Sequence, residues 1–144
     1  ARLAVQPWLD GEARSMNLLC ARGRAALLSV NGQRLEHRGE RVRLAALAVG
    51  TVDATPQHAA LAQRIAAALP GLLGPVGVDF IETEDGPVVV EINPRMSTSA
   101  CALRAATGLN LVAATLAAAR DGTLPHAVPP RPHTLTLEAR EETV

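Results

Sequence analysis

Short apolar blocks, several of them alternating with polar residues, fill the first third of the chain, and helical spacing takes over after residue 55. Leu3–Leu9 reads as a strand running into a connector, and Asp10-Gly11 as a turn. Ala13–Cys20 reads as a second strand. Arg24–Arg34 predicts a third strand, kinked near Asn31-Gly32, where an Asn-Gly step fits either a tight turn or a bulge. Glu36–Glu40 is polar and turn-like, and Arg41–Val49 resumes as a strand. Thr55–Leu69 is the clearest helix. Thr55 suits an N-cap, Pro56 suits N1, Leu61, Ile65, Ala68 and Leu69 make one apolar stripe, and Pro70-Gly71 ends it.

Two apolar runs then flank Glu84-Asp85-Gly86, a hairpin signal. Pairing Thr83 with Pro87 across a three-residue loop sets Ile81 opposite Val89 and Asp79 opposite Glu91. Alternation then places Asp79, Ile81, Val89, Glu91 and Asn93 on one face, with Val78, Phe80, Val88, Val90 and Ile92 on the other. Beyond Pro94, a helix capped by Thr98 or Ser99 should end at Gly108, and Asn110–Arg120 reads as a core helix closed by Asp121-Gly122. From Thr123 onward prolines impose extended chain, and Thr134–Glu138 alternates as a short strand does. The sum is an α+β fold: a mostly antiparallel sheet with helices packed on one face, the Thr55–Leu69 helix lying opposite the acids. Residues 1–128 read as the domain and 129–144 as a Pro-rich extended tail.

The chemistry lies in the hairpin. Like charges set directly opposite each other destabilise a sheet unless a cation lies between them. Asp79, Glu91 and the amide of Asn93 make a hard oxygen donor set suited to Mg²⁺ or Mn²⁺, and Arg95 adds a fixed charge shaped for phosphate or carboxylate. The alternative, two acids on a solvated sheet face, stays open on pattern alone.

Composition narrows the partners. The 144 residues carry no formal net charge, one Trp, one Phe and no Tyr, which argues against a nucleic-acid surface. No apolar run is long enough to span a membrane. Cys20 and Cys101 match no zinc or redox spacing and read as buried free thiols of a cytoplasmic protein; His37, His58, His126 and His133 read as surface or loop residues. Oligomeric state is open.

G-V-D-F followed by E-I-N-P-R resembles the catalytic hairpin of the ATP-grasp superfamily, which includes biotin carboxylase, carbamoyl-phosphate synthetase and D-alanine–D-alanine ligase. The resemblance covers nearly the whole chain, as the C-terminal half of an ATP-grasp unit. It implies an ATP- and Mg²⁺-dependent ligase joining small-molecule carboxylates to amines or thiols through an acyl phosphate. Glu91 would bridge two ions, Asp79 would bind one and Asn93 the other, and Arg95 would steady the γ-phosphate. By position, Gln6, Pro7, Trp8 and Leu9 would line the adenine slot, with core packing the other reading of Trp8, and Glu12 would hold the ribose. Two departures stand out: Gln6 where the family often has an acid, and Ala13 where many members place the ribose acid.

The same resemblance makes Ser97, Thr98, Ser99 and Arg104 candidates for substrate contact. It makes Asn31 and Gln33 candidates for polar contacts in a loop over the phosphates, although a solvated edge explains those two more simply. Q-P-W-L-D-G-E-A-x-S and E-I-N-P-R-M-S-T-S look most like small amino-acid ligases such as tyramine–glutamate ligase. In the family, phosphate-binding lysines and a glycine-rich flap lie upstream. This chain has no lysine and opens without Met, so it reads as a part of a larger enzyme whose N-terminal portion is its partner. An ATP-grasp kinase and a non-catalytic interaction domain are the alternatives.

Overall fold

The computed structural model describes residue 5 and residues 7–39, 41–126 and 129–136. In chain order the elements are β1 (Glu12–Ala21), β2 (Arg24–Arg38), β3 (Arg41–Val52), α1 (Pro56–Ala68), β4 (Gly74–Thr83), β5 (Gly86–Asn93), α2 (Ala100–Thr107), α3 (Leu111–Asp121) and β6 (His133–Thr136). The strands form one six-stranded sheet in the order β5-β4-β1-β2-β3-β6, and every neighbouring pair is antiparallel. The fold is α+β, as the strand-then-helix pattern implies.

β1 sits near the middle of the sheet and is buried from Ser15 to Ala21. Its side chains serve two cores. Met16, Leu18 and Cys20 join Val76, Val78 and Phe80 against Leu61, Ala62, Ile65 and Ala66 of α1. Leu19 and Ala21 join Leu28 and Val49 against Ala102, Leu103 and Ala106 of α2 and Ala118 of α3. The helices therefore divide between the two faces instead of gathering on one. β1 is apolar on both sides over Leu18–Ala21, so each side needs a cover. α1 does lie opposite the face that carries Asp79.

α3 is not the core helix its composition suggests. Only Ala118 is buried, and Val112 and Leu116 are 59% and 66% exposed. The Leu3–Leu9 strand is not seen: Leu3, Ala4 and Gln6 lie outside the described residues, and Pro7–Asp10 has no regular structure. β2 runs on to Arg38, past the expected turn, because Glu36 pairs across to Arg43 at 3.1 Å; Gly39, at φ +60°, begins the reversal. The kink is real. The β2–β3 register shifts between Val30 and Gly32, and Asn31 is fully buried there instead of lying on a solvated edge. Its Nδ2 donates to Ser15 Oγ at 3.2 Å and its Oδ1 accepts the Gly50 N–H at 3.1 Å.

Thr55 caps α1 in an unusual box. Its Oγ1 accepts the His58 N–H at 3.3 Å, and His58 Nδ1 accepts the Thr55 N–H at 3.1 Å. With Nδ1 accepting, the proton sits on Nε2, which donates to Glu82 at 2.5 Å. His58 is thus a buried tie between α1 and β4, 2% exposed, and not a surface histidine. Both cysteines are free, but only Cys20 is buried; Cys101 is exposed. Burial pushes the Cys20 thiol up to about 11, which disfavours its reactive thiolate. A disulfide-exchange reagent at neutral pH should therefore titrate one thiol in the folded protein and both after denaturation. Two fast thiols in the native state would contradict the packing around Cys20.

No single helix among the described residues is long and apolar enough to cross a membrane.

Candidate metal and phosphate site

β4 and β5 close through a two-residue turn, with Thr83 opposite Gly86, one residue tighter than the sequence suggests. Gly86 takes φ +114°, and Thr83 Oγ1 donates to its carbonyl at 2.8 Å. The tighter turn pairs Ile81 with Val88 and Phe80 with Val89. Val89 therefore turns inward to the α1 core and does not share the face of Ile81. A bulge between Asp79 and Phe80 then shifts the register by one and leaves Val90 as the extra residue. The two displacements cancel, so Asp79 still faces Glu91 and Gly77 faces Asn93.

Asp79, Glu91, Asn93 and Arg95 line one pocket of about 160 Å³, together with Gln33 of β2 and Ser97, Thr98 and Ser99. Asp79 is half-buried, whereas Glu91 is exposed, so the acid pair is sunk on one side only. Burial holds the Asp79 carboxyl above the usual value of 3.8. A hydrogen bond from Gln33 opposes that rise, Glu91 adds to it by repulsion, and Arg95 opposes it. Gln33 Nε2 donates to Asp79 Oδ1 at 2.7 Å, and Asn93 Nδ2 donates to Oδ2 at 3.3 Å. Arg95 Nη2 donates to Asn93 Oδ1 at 3.2 Å. Its backbone N–H turns back to the Asn93 carbonyl at 2.8 Å, past Pro94.

The donor set fits a small hard cation: a sunken carboxylate, a second carboxylate across the strand pair and an amide oxygen, with Asp79 destabilised by the neighbouring acid. Among the described residues no three His, Cys, Asp or Glu side chains gather, so a cation held here would have to draw any third protein donor from an amide such as Asn93.

The loop that follows is held by a buried network. Asn17 Oδ1 accepts hydroxyls from Ser97 at 3.2 Å and Ser99 at 2.9 Å, and Asn17 Nδ2 donates to Ser29 Oγ at 3.0 Å. Ser99 is the N-cap residue of α2, but its hydroxyl goes to Asn17 and makes no capping bond. Gly77, opposite Asn17, leaves the room: a Cβ there would stand 2.9 Å from Ser97 Cβ. Of the substrate candidates, Ser97 and Ser99 are committed inward and Thr98 is exposed. Arg104 is exposed in the last turn of α2 and does not line the pocket.

The other expected contacts scatter. Pro7, Trp8 and Leu9 are exposed, Trp8 to 87%, which rules out core packing within the described residues; Gln6 lies outside them. Glu12 pairs with Arg14 and stands opposite Glu82, so by alternation it shares the Phe80 face and points away from the acids. A larger cleft of about 780 Å³ opens between the start of β2, the β3–α1 connection, Leu124–His126 and Pro129-Pro130, and among the described residues none of the site residues expected from sequence lines it.

Sequence reasoning missed Ser15, Asn17 and Gly77 and undervalued Gln33. The available signal was the alternation of Ser15 and Asn17 with Met16 and Leu18 in a buried strand.

Residues 1–99 match the ATP-grasp domain family. A search of curated proteins finds no match. Solved structures share the fold. The L-amino acid ligase of Bacillus licheniformis superposes with a TM-score of 0.71 at 17% identity, over 93% of this chain and 35% of that one. N5-carboxyaminoimidazole ribonucleotide synthetase of Thermus thermophilus gives 0.66 at 16% identity, over 90% and 36%. The biotin carboxylase domain of Hydrogenobacter thermophilus 2-oxoglutarate carboxylase, in complex with MgADP, ADP and bicarbonate, gives 0.60 at 17% identity, over 83% and 27%. The chain thus spans between 27% and 36% of the lengths of these three structures. The chain belongs to the ATP-grasp family.

Proposed function

We propose that this chain supplies the cation- and triphosphate-binding part of an ATP-dependent ligase that joins a carboxylate to an amine or thiol through an acyl phosphate. The observation that carries the reading is the meeting of Asp79, Glu91, Asn93 and Arg95 at one pocket, beside a loop anchored by Asn17. MgADP in the Hydrogenobacter structure and the ligase and synthetase names of the other two support it.

Bound Mg²⁺ would neutralise charge developing on the transferred phosphoryl group. Asp79 and Glu91 would hold the cation; turning the Asn93 amide over, so that its oxygen instead of Nδ2 faces Asp79, would complete the protein donors. Arg95 is exposed and tethered at Asn93, and its permanent positive charge would meet incoming phosphate oxygens. Thr98 offers the free hydroxyl of the loop to the acceptor, while Ser97 and Ser99 keep the loop in place. Trp8, exposed, is available to an adenine ring.

Incubation of the full-length protein with Mg·ATP and panels of carboxylates and amines should yield ADP, phosphate and an amide. A stable phosphate ester would instead identify a kinase. No ATP consumption and no cation binding would leave an interaction domain that keeps the fold.

A further inference from the structure

We infer that Gln33 is a positioning residue that fixes which oxygen of Asp79 meets the cation, and thereby favours a small divalent ion over a larger one. The inference rests on the reading of the pocket as a cation site.

Gln33 belongs to β2 and Asp79 to β4, with β1 between them. The side chain reaches diagonally over β1, where the residues on that face are Ala13 and Ser15. Both are small, and Ser15 is buried beneath the reach. Gln33 stands opposite Leu47 on its other side, and Leu44 and Leu47 give the pocket an apolar wall there. Such a wall offers the amide nothing to bond to, so its donor is directed at the carboxylate. The bond to Asp79 Oδ1 is 2.7 Å, against 3.3 Å for the Asn93 contact to Oδ2. One oxygen is therefore firmly held and the other only loosely.

A glutamine suits this task. It donates without adding charge, so Asp79 keeps the negative charge a cation needs; an arginine or lysine there would cancel it. Mg²⁺ demands a compact octahedron built from single oxygens, whereas Ca²⁺ accepts more ligands and readily takes both oxygens of one carboxylate. Tying Oδ1 to Gln33 opposes the two-oxygen mode. It thereby holds Ca²⁺ at a disadvantage and orients Oδ2 for the smaller ion.

The test compares full-length wild type with Gln33→Met, which keeps length and volume but lacks the donor, and with Glu91→Gln as a control for the site. Mn²⁺ binding is read by electron paramagnetic resonance, and Mg²⁺ and Ca²⁺ by competition against it, with melting curves as a check of folding. Gln33→Met should weaken Mn²⁺ and Mg²⁺ by roughly 10-fold, the size expected of an outer-shell partner. Ca²⁺ should change much less, so that the Mg²⁺/Ca²⁺ preference narrows. Partial unfolding lowers the occupied fraction for every ion alike and cannot narrow that ratio. If Glu91→Gln abolishes Mn²⁺ binding while Gln33→Met leaves both affinity and ratio at wild-type values, the role given to Gln33 is wrong and the cation site stands. If wild type binds no Mn²⁺, the site and the role of Gln33 fall together.

Discussion

Glu91→Gln should cut ATP-dependent turnover of the full-length protein by a factor of about 10²–10³, equivalent to ~3–4 kcal/mol of transition-state stabilisation. The substitution is isosteric and Glu91 is exposed, so no packing is lost. What disappears is one of the two negative charges that face each other across the β4–β5 pair. In the metal-free protein that loss removes a repulsion, since Glu91 is one of the groups that push the Asp79 carboxyl up. The melting temperature measured in chelator should therefore hold or rise slightly while turnover collapses. This opposite movement is what a functional, locally unfavourable charge pair predicts. Full turnover in the variant would reduce the acids to a solvated sheet face.

Asn17→Leu is the second large effect. The substitution keeps approximate volume but leaves the Ser29 hydroxyl without its donor and the Ser97 and Ser99 hydroxyls without their shared acceptor. Asn17, Ser29 and Ser99 are each at most 4% exposed, so water cannot readily replace the lost partners. The cost should be about 2 kcal/mol, or roughly 5–10 °C in Tm. The loop carrying Thr98 and following Arg95 should loosen, and the KM for the acceptor should rise. Asp79 and Glu91 sit on the hairpin, outside this network, so cation affinity should stay close to wild type. Equal losses in cation affinity and acceptor binding would show that Asn17 supports the domain as a whole and not the loop in particular.

Much of this architecture can be read from the chain before any coordinates. The Asp-Gly hairpin, the Thr55-Pro56 start of α1, the Gly108 and Gly122 stops and the kink at Asn31 all follow from local rules that tertiary contacts do not override. The acid pair also follows, although by a route the sequence does not show. The turn is one residue shorter than its composition suggests, and the bulge at Val90 has no glycine or other local marker. What escaped notice depends on long-range contact. Ser15 and Asn17 look like ordinary breaks in an apolar strand until Ser97 and Asn31 arrive from elsewhere in the chain. Gln33 looks like an edge residue because its partner is 46 positions away. His58 occupies the position of a capping acid, and only its bond to Glu82 explains its burial. The placement of helices on both faces was legible in principle from Leu18-Leu19-Cys20-Ala21, an unbroken apolar run that no one-sided sheet needs.

The extra residue at Val90 separates two jobs within one hairpin. Toward the tip, strand geometry answers to the Glu84-Asp85 turn and to α1, through the His58–Glu82 bond and Val89; toward the base, it answers to the charges. A bulge of this kind acts as a slip joint. Residues added at or removed from the tip can be taken up before they reach Asp79 and Glu91. The apex is thus where lineages can diverge in length, or a designer can graft a sequence, with the least disturbance to the chemistry below.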